Sequence, residues 1–129
     1  MRKETYKIMT AFYRGLPAKA ARTHTDGQTV WLHNNTIAWR SNDNDISFCL
    51  AGWPTTTTRE RINGLLSTFG MGRWGVSQRN HEQWLVHHAE KVTEIGDYEV
   101  ISFSTLRNFE DEYGLTSWTD SKWELIKCQ

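Results

Sequence analysis

Four consecutive threonines and two nearby arginines, in the stretch GWPTTTTRERING at residues 52–64, supply the groups of an anion-binding site. The first backbone amides of a helix are unpaired and carry partial positive charge, so a helix that begins here would attract a phosphate. The hydroxyls of Thr57 and Thr58 and the guanidinium groups of Arg59 and Arg61 would add donors. Phosphate binding is therefore the first candidate chemistry.

The same run also has a purely structural interpretation. Residues 57–60 fit the capping-box pattern, in which Thr57 caps the helix and Glu60 reaches back to its amide. Pro54 and Thr55 would then lead the chain from a strand into the helix. No glycine-rich loop accompanies the threonines, and both interpretations stay open.

A second candidate is an aromatic and basic face of a sheet, carrying Trp31, His33 and Arg40 and joined by Arg79 and Trp84. Aromatic rings stack on nucleobases, and arginine both neutralises phosphate and stacks, so such a face could hold a single strand. The alternative is that another layer of the fold covers Trp31 and Trp84, since tryptophan is more often buried than displayed.

Catalysis and metal binding have less support. His24 lies two residues before Asp26 and could work with it as an acid and a base, but an Asp beside Gly27 is a typical turn former. The sequence has no His-x-x-x-His, no Cys-x-x-Cys and no nucleophile elbow, and the adjacent His87 and His88 would point to opposite faces of a strand. We therefore expect no catalytic residues, no metal and no cofactor.

The acidic segment Glu110, Asp111 and Glu112 indicates a different class of function. It lies at the C-terminal end of a late helix, where negative charge is mildly unfavourable, and a solvated face is its usual role. It could instead contact a basic host protein, which would make this protein an inhibitor that binds through its acidic C-terminal portion.

Length and composition are typical of one soluble domain over residues 1–129, with 38% hydrophobic residues and a net charge of zero. The charge is uneven. Residues 1–90 hold eleven Lys and Arg against seven Asp and Glu, whereas residues 91–129 hold four against eight. A basic body is compatible with a nucleic acid or nucleotide partner. An uneven distribution of the surface charges that keep the protein soluble explains it equally well. Neutral net charge predicts no tight non-specific binding to DNA.

No apolar run approaches the roughly 20 residues that span a bilayer. The sequence therefore predicts a protein without a membrane partner that stays in the cytoplasm where it is made. Its two cysteines, Cys49 and Cys128, are expected to be free thiols there.

The first clear element is a hairpin in TVWLHNNTIAWR, turning at Asn34 and Asn35. Pairing His33 with Thr36 places Leu32 opposite Ile37 and Val30 opposite Trp39. A third strand, ISFCLAG, follows after a four-residue loop over 42–45 and would set Phe48 against Trp39 and Leu50 against Ile37. The predicted core face of this meander is Val30, Leu32, Ile37, Trp39, Phe48 and Leu50.

The helix after the threonines has an apolar stripe at Ile62, Leu65, Leu66 and Phe69, with Gly70 where a C-terminal cap is expected. The meander is predicted to pack against this stripe.

A second hairpin, WGVSQRNHEQWLVHH, is predicted to turn near residues 80–81 and to pair Val76 with Leu85 and Ser77 with Trp84. It would extend or cover the first layer. The last third offers a strand YEVISF, a short helix STLRNFEDEYG capped by Ser104 or Thr105, and a strand KWELI. The segment YKIMTAFYRG could be helix or strand. The expected fold class is α+β.

Residues 11–86 resemble a group of small uncharacterised proteins encoded by tailed bacteriophages. The similarity rests on a Thr-x-Thr-Asp-Gly turn, a strand ending in Leu-His-x-Asn, and a Gly-Trp-x-Thr-x-Thr-Thr-Arg-x-Arg segment. The matching residues are Thr23, Thr25, Asp26, Gly27, Leu32, His33, Asn35, Gly52, Trp53, Thr55, Thr57, Thr58, Arg59, Arg61 and Asn63. The resemblance implies a phage origin and a host-cytoplasm setting, and no particular activity. The acidic C-terminal third has no counterpart in it.

Taken together, the sequence predicts a non-enzymatic phage accessory protein that acts by binding in host takeover or counter-defence. The leading hypothesis is a phosphate-bearing partner, nucleic acid or nucleotide. Its predicted contacts are Thr57, Thr58, Arg59, Arg61, Trp31, His33, Arg40 and Arg79.

Overall fold

The computed structural model describes residues 1–42 and 45–113. The helices of these residues are α1 (Lys3–Tyr13), α2 (Thr56–Thr68) and α3 (Phe103–Tyr113). The strands are β1 (Ala18–Ala20), β2 (Thr23–Thr25), β3 (Thr29–Leu32), β4 (Asn35–Asn42), β5 (Asp45–Phe48), β6 (Trp74–Arg79), β7 (Glu82–His87), β8 (Glu90–Glu94) and β9 (Ile101–Ser102). The predicted strand KWELI, the predicted helix stop Gly114, and Cys128 lie outside the described residues, whereas Cys49 is a free thiol.

The strands form two antiparallel sheets. One has six strands in the order β1-β2-β3-β4-β5-β9, and the other has three in the order β6-β7-β8. The predicted α+β class and the meander β3-β4-β5 are confirmed. The second hairpin neither extends the meander nor pairs with it, because it forms a sheet of its own with β8.

The ambiguous N-terminal segment is the helix α1, and it packs on α2 and on the first strands of the six-stranded sheet. Ile8, Met9 and Phe12 on its inner face are fully buried. These side chains recur at the three- to four-residue spacing of one helix face, which favours a helix over a strand here.

The register of the first hairpin differs from the predicted one. The turn residues are His33 and Asn34, both with positive φ (50° and 67°), and Leu32 pairs with Asn35. A two-residue hairpin turn of type I′ has positive φ at both central positions, and this chain forms one a residue earlier than predicted. The shift alone would set Ile37 opposite Val30, which leaves Ile37 on the core face.

A bulge in the same hairpin changes which later residues of β4 face the core. Val30 pairs with Ala38 while Trp31 pairs with Thr36, so β4 carries one extra residue, Ile37, between these pairs. Ile37 and Ala38 are both buried as a result. The predicted core position of Trp39 is therefore wrong, since Trp39 pairs with Thr29 and is only half-buried. The other predicted core residues, Val30, Leu32, Ile37, Phe48 and Leu50, are buried.

The third strand also pairs differently from the prediction. Phe48 lies opposite Ala38 instead of Trp39, as the shifted register requires. Asn42 and Asp45 form a pair at the end of the ladder, so the predicted four-residue loop between the strands is wrong.

Helix α2 matches its predicted stripe but not its predicted cap. Ile62, Leu65 and Leu66 are fully buried, Phe69 packs on the core beside them, and Gly70 follows the helix with a φ of 76°. The N-cap is Thr55, whose hydroxyl accepts a hydrogen bond from the Thr58 amide at 3.2 Å. The chain is already helical at residue 56, so Thr57 is inside the first turn and the predicted capping box is not formed.

The second hairpin has the predicted register. Its turn at residues 80–81 has positive φ at both positions (52° and 66°), and Val76 pairs with Leu85 and Ser77 with Trp84. The strand β8 was not predicted; it follows a similar turn at residues 88–89.

The start of α3 differs from the prediction. The strand there is only Ile101–Ser102, and the helix begins at once with Phe103. The Ser102 hydroxyl accepts from the Thr105 amide at 3.2 Å, and Asp45 accepts from the Ser104 amide at 3.0 Å. Ser102 and Asp45 thus satisfy the first turn, and neither Ser104 nor Thr105 is the cap.

Candidate functional site

Three surface depressions meet at the β3–β4 turn, and His33 lines all of them. The first, about 730 Å³, lies against β1 and β2. The second, about 460 Å³, lies between this turn and the start of α2. The third, about 300 Å³, lies towards the start of α1. We call the three together the His33 surface.

The His33 surface is basic. Arg2, Lys19 and Arg22 are exposed on it, and Arg22 lines both the first and the third depression. Among the described residues that line the three depressions, the one carboxylate is Glu4. No ion pair of these three cations occurs within residues 1–42 and 45–113. Within the described part of the chain these three cations are therefore in no ion pair, although Glu4 shares the third depression with Arg2 and Arg22.

The second depression, which we call the Trp53 pocket, has a different character. Its floor is formed by Leu32, Ile37 and Leu50, which belong to the core. The Trp53 side chain stands at its edge and is 60% exposed. The remaining lining side chains are Ala51, His33, Asn35, Thr55, Thr57 and Thr58. None of the described lining residues has a carboxylate, an ammonium or a guanidinium group, so the pocket offers apolar surface, hydroxyls and an amide.

The threonine run borders this pocket. Thr55 caps the helix, and its hydroxyl lies 3.0 Å from that of Thr58, which is 1% exposed. The Thr57 hydroxyl accepts a long hydrogen bond from the Arg2 guanidinium at 3.5 Å. The structure thus brings the predicted site residues Thr57, Thr58 and His33 together, and it adds Arg2 to them.

The two arginines after the threonines are held by contacts within the protein. Arg59 Nη1 donates to the Pro54 carbonyl at 2.8 Å and to Gln83 Oε1 at 3.0 Å, so its side chain bridges α2 to the three-stranded sheet. Arg61 is 4% exposed, and its Nη1 contacts the Thr5 hydroxyl at 2.7 Å and a Glu60 oxygen at 2.6 Å. Hence Arg59 does not border the Trp53 pocket. Arg61 lines the third depression, but its Nε and Nη1 are bonded to internal partners.

The predicted sheet face is also divided. Arg40 donates from Nη2 to the Phe12 carbonyl at 2.5 Å and lies over the Phe12 ring. Arg79 Nη2 donates to the Ala89 carbonyl at 2.7 Å in the other sheet. Neither arginine lines any of the three depressions.

The two tryptophans of that predicted face are half-buried by different neighbours. Trp31 stacks on His24 with ring centroids 4.7 Å apart and an interplanar angle of 15°. Trp84 lies under the ammonium group of Lys91 at 4.5 Å. Trp31 therefore packs against His24, which lines the first depression of the His33 surface, whereas Trp84 belongs to the three-stranded sheet.

Asp26 is a turn former, as the sequence indicates. Its Oδ1 accepts hydrogen bonds from the amides of Gln28 at 2.8 Å and Thr29 at 2.9 Å. These bonds lower the pKa of Asp26 below its usual value. The carboxylate is thus already used within its own turn, next to the strand that carries His24.

The three acidic residues of the α3 segment lie in different environments. Glu110 turns inward, where Oε1 accepts from Trp74 Nε1 at 2.8 Å and Oε2 lies 3.5 Å from Arg73. Asp111 and Glu112 are exposed. His87 is buried beside Glu110, with Nε2 3.7 Å from its carboxylate. Burial lowers the pKa of His87, and the carboxylate of Glu110 opposes that shift only in part.

Several residues of the His33 surface were missed from the sequence, chiefly Arg2, Lys19, Arg22 and Trp53. A finer count of charge would have indicated the three cations. Residues 1–42 hold seven Lys and Arg against two Asp and Glu, a sharper excess than that of residues 1–90. Trp53 has no such signal, because its exposure depends on the path of the chain between β5 and α2.

Within the described residues, no group of three or more His, Cys, Asp and Glu side chains is placed to hold a metal ion. None of the helices in residues 1–42 and 45–113 has the length and apolarity that crossing a membrane requires. No match was found among curated proteins, and none among solved structures.

Residues 1–111 match the family model described as Kyanoviridae Gp96 protein. The match starts before the resemblance seen in the sequence and continues through β9 and most of α3, so the acidic portion does have a counterpart up to residue 111. The chain therefore belongs to the Kyanoviridae Gp96 protein family, a family of phage proteins.

Proposed function

We propose that this phage protein binds nucleic acid through the His33 surface and catalyses no reaction. The observation that supports this most is the convergence of Arg2, Lys19 and Arg22 around one turn, without a carboxylate at ion-pair distance among the described residues. Like charges that converge in this way repel one another, and a phosphate-bearing partner would relieve the repulsion.

The arrangement of the cations favours a polymer over a single phosphate. Lys19 lines the first depression, Arg2 lines the third, and Arg22 borders both. More than one phosphate could therefore be bound along the surface, as a strand provides. Because the net charge is zero, only this basic face would attract nucleic acid. We expect the affinity to be moderate and to decrease as the salt concentration rises.

The family sets the biological context of the proposal. A phage protein that binds nucleic acid without altering it would act in host takeover or counter-defence, in the cytoplasm of the host. The predicted contacts of the sequence are revised accordingly. Thr57 and His33 stay in the proposed site, Thr58 is a buried part of the pocket lining, and Trp31 acts only by stacking on His24. The cations of the proposed site are Arg2, Lys19 and Arg22, in place of Arg59, Arg61, Arg40 and Arg79.

The alternative is an inhibitor that binds a host protein through its acidic segment, and it has weaker support. Glu110 is held by Trp74 and Arg73, which leaves Asp111 and Glu112 as the exposed carboxylates of the segment. Two solvated charges at a helix end need no partner. Neutralising both, in Asp111→Asn with Glu112→Gln, should leave nucleic-acid binding unchanged.

The test is a fluorescence-anisotropy titration of a short labelled single strand with the wild-type protein and with the double variant Lys19→Gln, Arg22→Gln. We expect the double variant to bind at least tenfold more weakly. The log–log slope of affinity against salt should fall by about 0.7 for each phosphate that the variant no longer neutralises. Arg14→Gln is the matched control, since Arg14 is exposed but lines none of the three depressions.

Two results would contradict the proposal. One is a wild-type protein that binds no strand at low salt. The other is an Arg14→Gln variant that binds as weakly as the double variant, because binding would then follow net charge and not this surface.

A further inference from the structure

We infer that the Trp53 pocket holds one unpaired nucleobase of the bound strand, so that the protein selects single strands over duplexes. The inference rests on the proposed function. It adds which part of a nucleotide lies in each depression. The phosphates would lie against Arg2 and Arg22, and the base would lie on Trp53.

The lining of the pocket supports a neutral, flat occupant. Apolar side chains form the floor, and the Trp53 ring is 60% exposed at the edge although it is the largest apolar side chain there. The polar groups of the lining are the Asn35 amide, the His33 ring and threonine hydroxyls, which can donate to and accept from the edge of a base. A phosphate would find no charged lining side chain inside the pocket, whereas a base would find both a stacking face and hydrogen-bonding partners.

The position of the pocket supports a nucleotide in particular. Thr57 and His33 line both the Trp53 pocket and the third depression, where Arg2 reaches the Thr57 hydroxyl at 3.5 Å. A neutral cavity therefore borders directly on a guanidinium group. A ligand that fits both has an uncharged planar end and an anionic end a short distance apart, which describes one nucleotide of a strand.

The backbone that carries Trp53 is fixed by hydrogen bonds before any ligand arrives. The Trp53 amide donates to the Leu50 carbonyl at 3.0 Å, and its carbonyl accepts from the Thr55 amide at 2.7 Å. Gly52, with a φ of 79°, makes the turn that precedes it. Because the backbone on both sides of Trp53 is fixed, only side-chain torsions lose freedom when a base stacks on the ring.

Selectivity for single strands follows from the same geometry. A base within a duplex is paired and stacked, and it must leave the helix to enter a pocket. An unpaired base enters without that cost. A duplex would still contact Arg2, Lys19 and Arg22 through its phosphates, but more weakly and without using Trp53.

The experiment compares four ligands: a labelled single strand, its duplex, the same strand with abasic sites in place of its bases, and a mononucleotide as competitor. Each is titrated against the wild-type protein, Trp53→Ala and Trp53→Phe. Trp84→Ala is the control, since Trp84 is a half-buried tryptophan of the other sheet. Circular dichroism verifies that each variant is folded, which is expected for Trp53→Ala because most of this side chain is in solvent.

We expect Trp53→Ala to bind the intact strand roughly tenfold more weakly and the duplex and the abasic strand unchanged. Trp53→Phe should keep most of the affinity, because a smaller ring still stacks. Trp84→Ala should bind all ligands as the wild-type protein does.

Other outcomes overturn the inference and separate it from the proposed function. If the Lys19→Gln, Arg22→Gln variant binds weakly but Trp53→Ala binds the intact strand normally, the proposed function stands and the inference of a base pocket is wrong. If Trp53→Ala loses the same affinity for strand, duplex and abasic strand, Trp53 is not a base platform. A mononucleotide that competes as well as the strand would assign the pocket to a free nucleotide. If the wild-type protein binds no nucleic acid, both proposals fail.

Discussion

Arg61 on α2 donates from Nε to the hydroxyl of Thr23 on β2 at 2.9 Å, in a site where the Arg61 side chain is 4% exposed. The same guanidinium reaches Thr5 on α1 and Glu60 on its own helix. One side chain thus ties both α1 and α2 to the six-stranded sheet. Since its Nε and Nη1 donate to internal acceptors, Arg61 has a structural role.

Replacing Arg61 should therefore reduce stability strongly. Arg61→Ala leaves Glu60 without its cation and two hydroxyls without a donor, and we expect a loss of about 3 kcal/mol in the free energy of unfolding, measured by urea denaturation. Arg59→Ala removes hydrogen bonds near the surface and should cost about 1 kcal/mol. Equal losses for the two variants would contradict the assigned roles.

Arg59 also distinguishes the interface predicted from the sequence from the one that we propose from the structure. The sequence places Arg59 in the phosphate site, and its substitution would then abolish binding. The structure places its guanidinium on Pro54 and Gln83, so we expect Arg59→Ala to bind a single strand within about twofold of the wild-type protein. The anisotropy titration measures this, and a tenfold loss would return Arg59 to the site.

Asn63 joins α2 to the edge of the second sheet. Its Nδ2 donates to the Val76 carbonyl at 3.1 Å, and its Oδ1 accepts from the Val76 amide at 2.7 Å. We expect Asn63→Ala to lower the free energy of unfolding by about 2 kcal/mol, since two hydrogen bonds are lost. Asn63→Asp should also destabilise, because a carboxylate then faces a carbonyl oxygen. Ser67→Ala, on the exposed side of the same helix, is the control and should change little.

Gly27 is required by a close approach of two backbones. A Cβ built on it would lie 2.4 Å from the Gly15 carbonyl oxygen, and its φ is 93°. We expect Gly27→Ala to cost on the order of 3 kcal/mol, because a backbone segment must move. Gly15→Ala is a matched comparison: its φ is 72°, but the added Cβ would meet nothing within 4 Å, so about 1 kcal/mol is expected. Thermal or urea unfolding of the two variants decides this.

Stability should depend on the protonation of His87. Burial lowers the pKa of His87 below 6.5 against the opposing charge of Glu110, while His88 and Arg73 lower it further. The folded state therefore favours the neutral ring, and the stabilisation is full above the unfolded pKa and decreases as pH falls from about 6.5 through the folded pKa.

The check is urea unfolding of the wild-type protein and of His87→Gln at about pH 7.5 and about pH 5.5. The wild-type protein should lose more free energy between the two pH values than His87→Gln does. A larger loss in the variant would mean that the pKa of His87 is raised instead.

Local patterns in the sequence predict much of the fold. The stripe on α2 and the second hairpin are found as predicted, because helical spacing and a two-residue turn act over a few residues. The prediction of the first hairpin is wrong because two adjacent residue pairs could form its turn. Its register depends on which pair takes positive φ and on the bulge at Ile37. Both turn choices are locally acceptable and keep Ile37 on the face of Val30, and the bulge then adds Ala38 to the core.

The sequence by itself determined the phage family, the α+β class, the turn role of Asp26 and the positive charge of the N-terminal part. Only the tertiary structure decided which cations remain available to a ligand. Arginine has a long side chain with several donors, and it takes any acceptor that the fold brings near: Arg61 finds Thr5 56 residues away in sequence, and Arg40 finds Phe12 28 residues away. Arg2, Lys19 and Arg22 meet no carboxylate within ion-pair distance in the described part of the chain, and their charge is therefore free to act on a ligand.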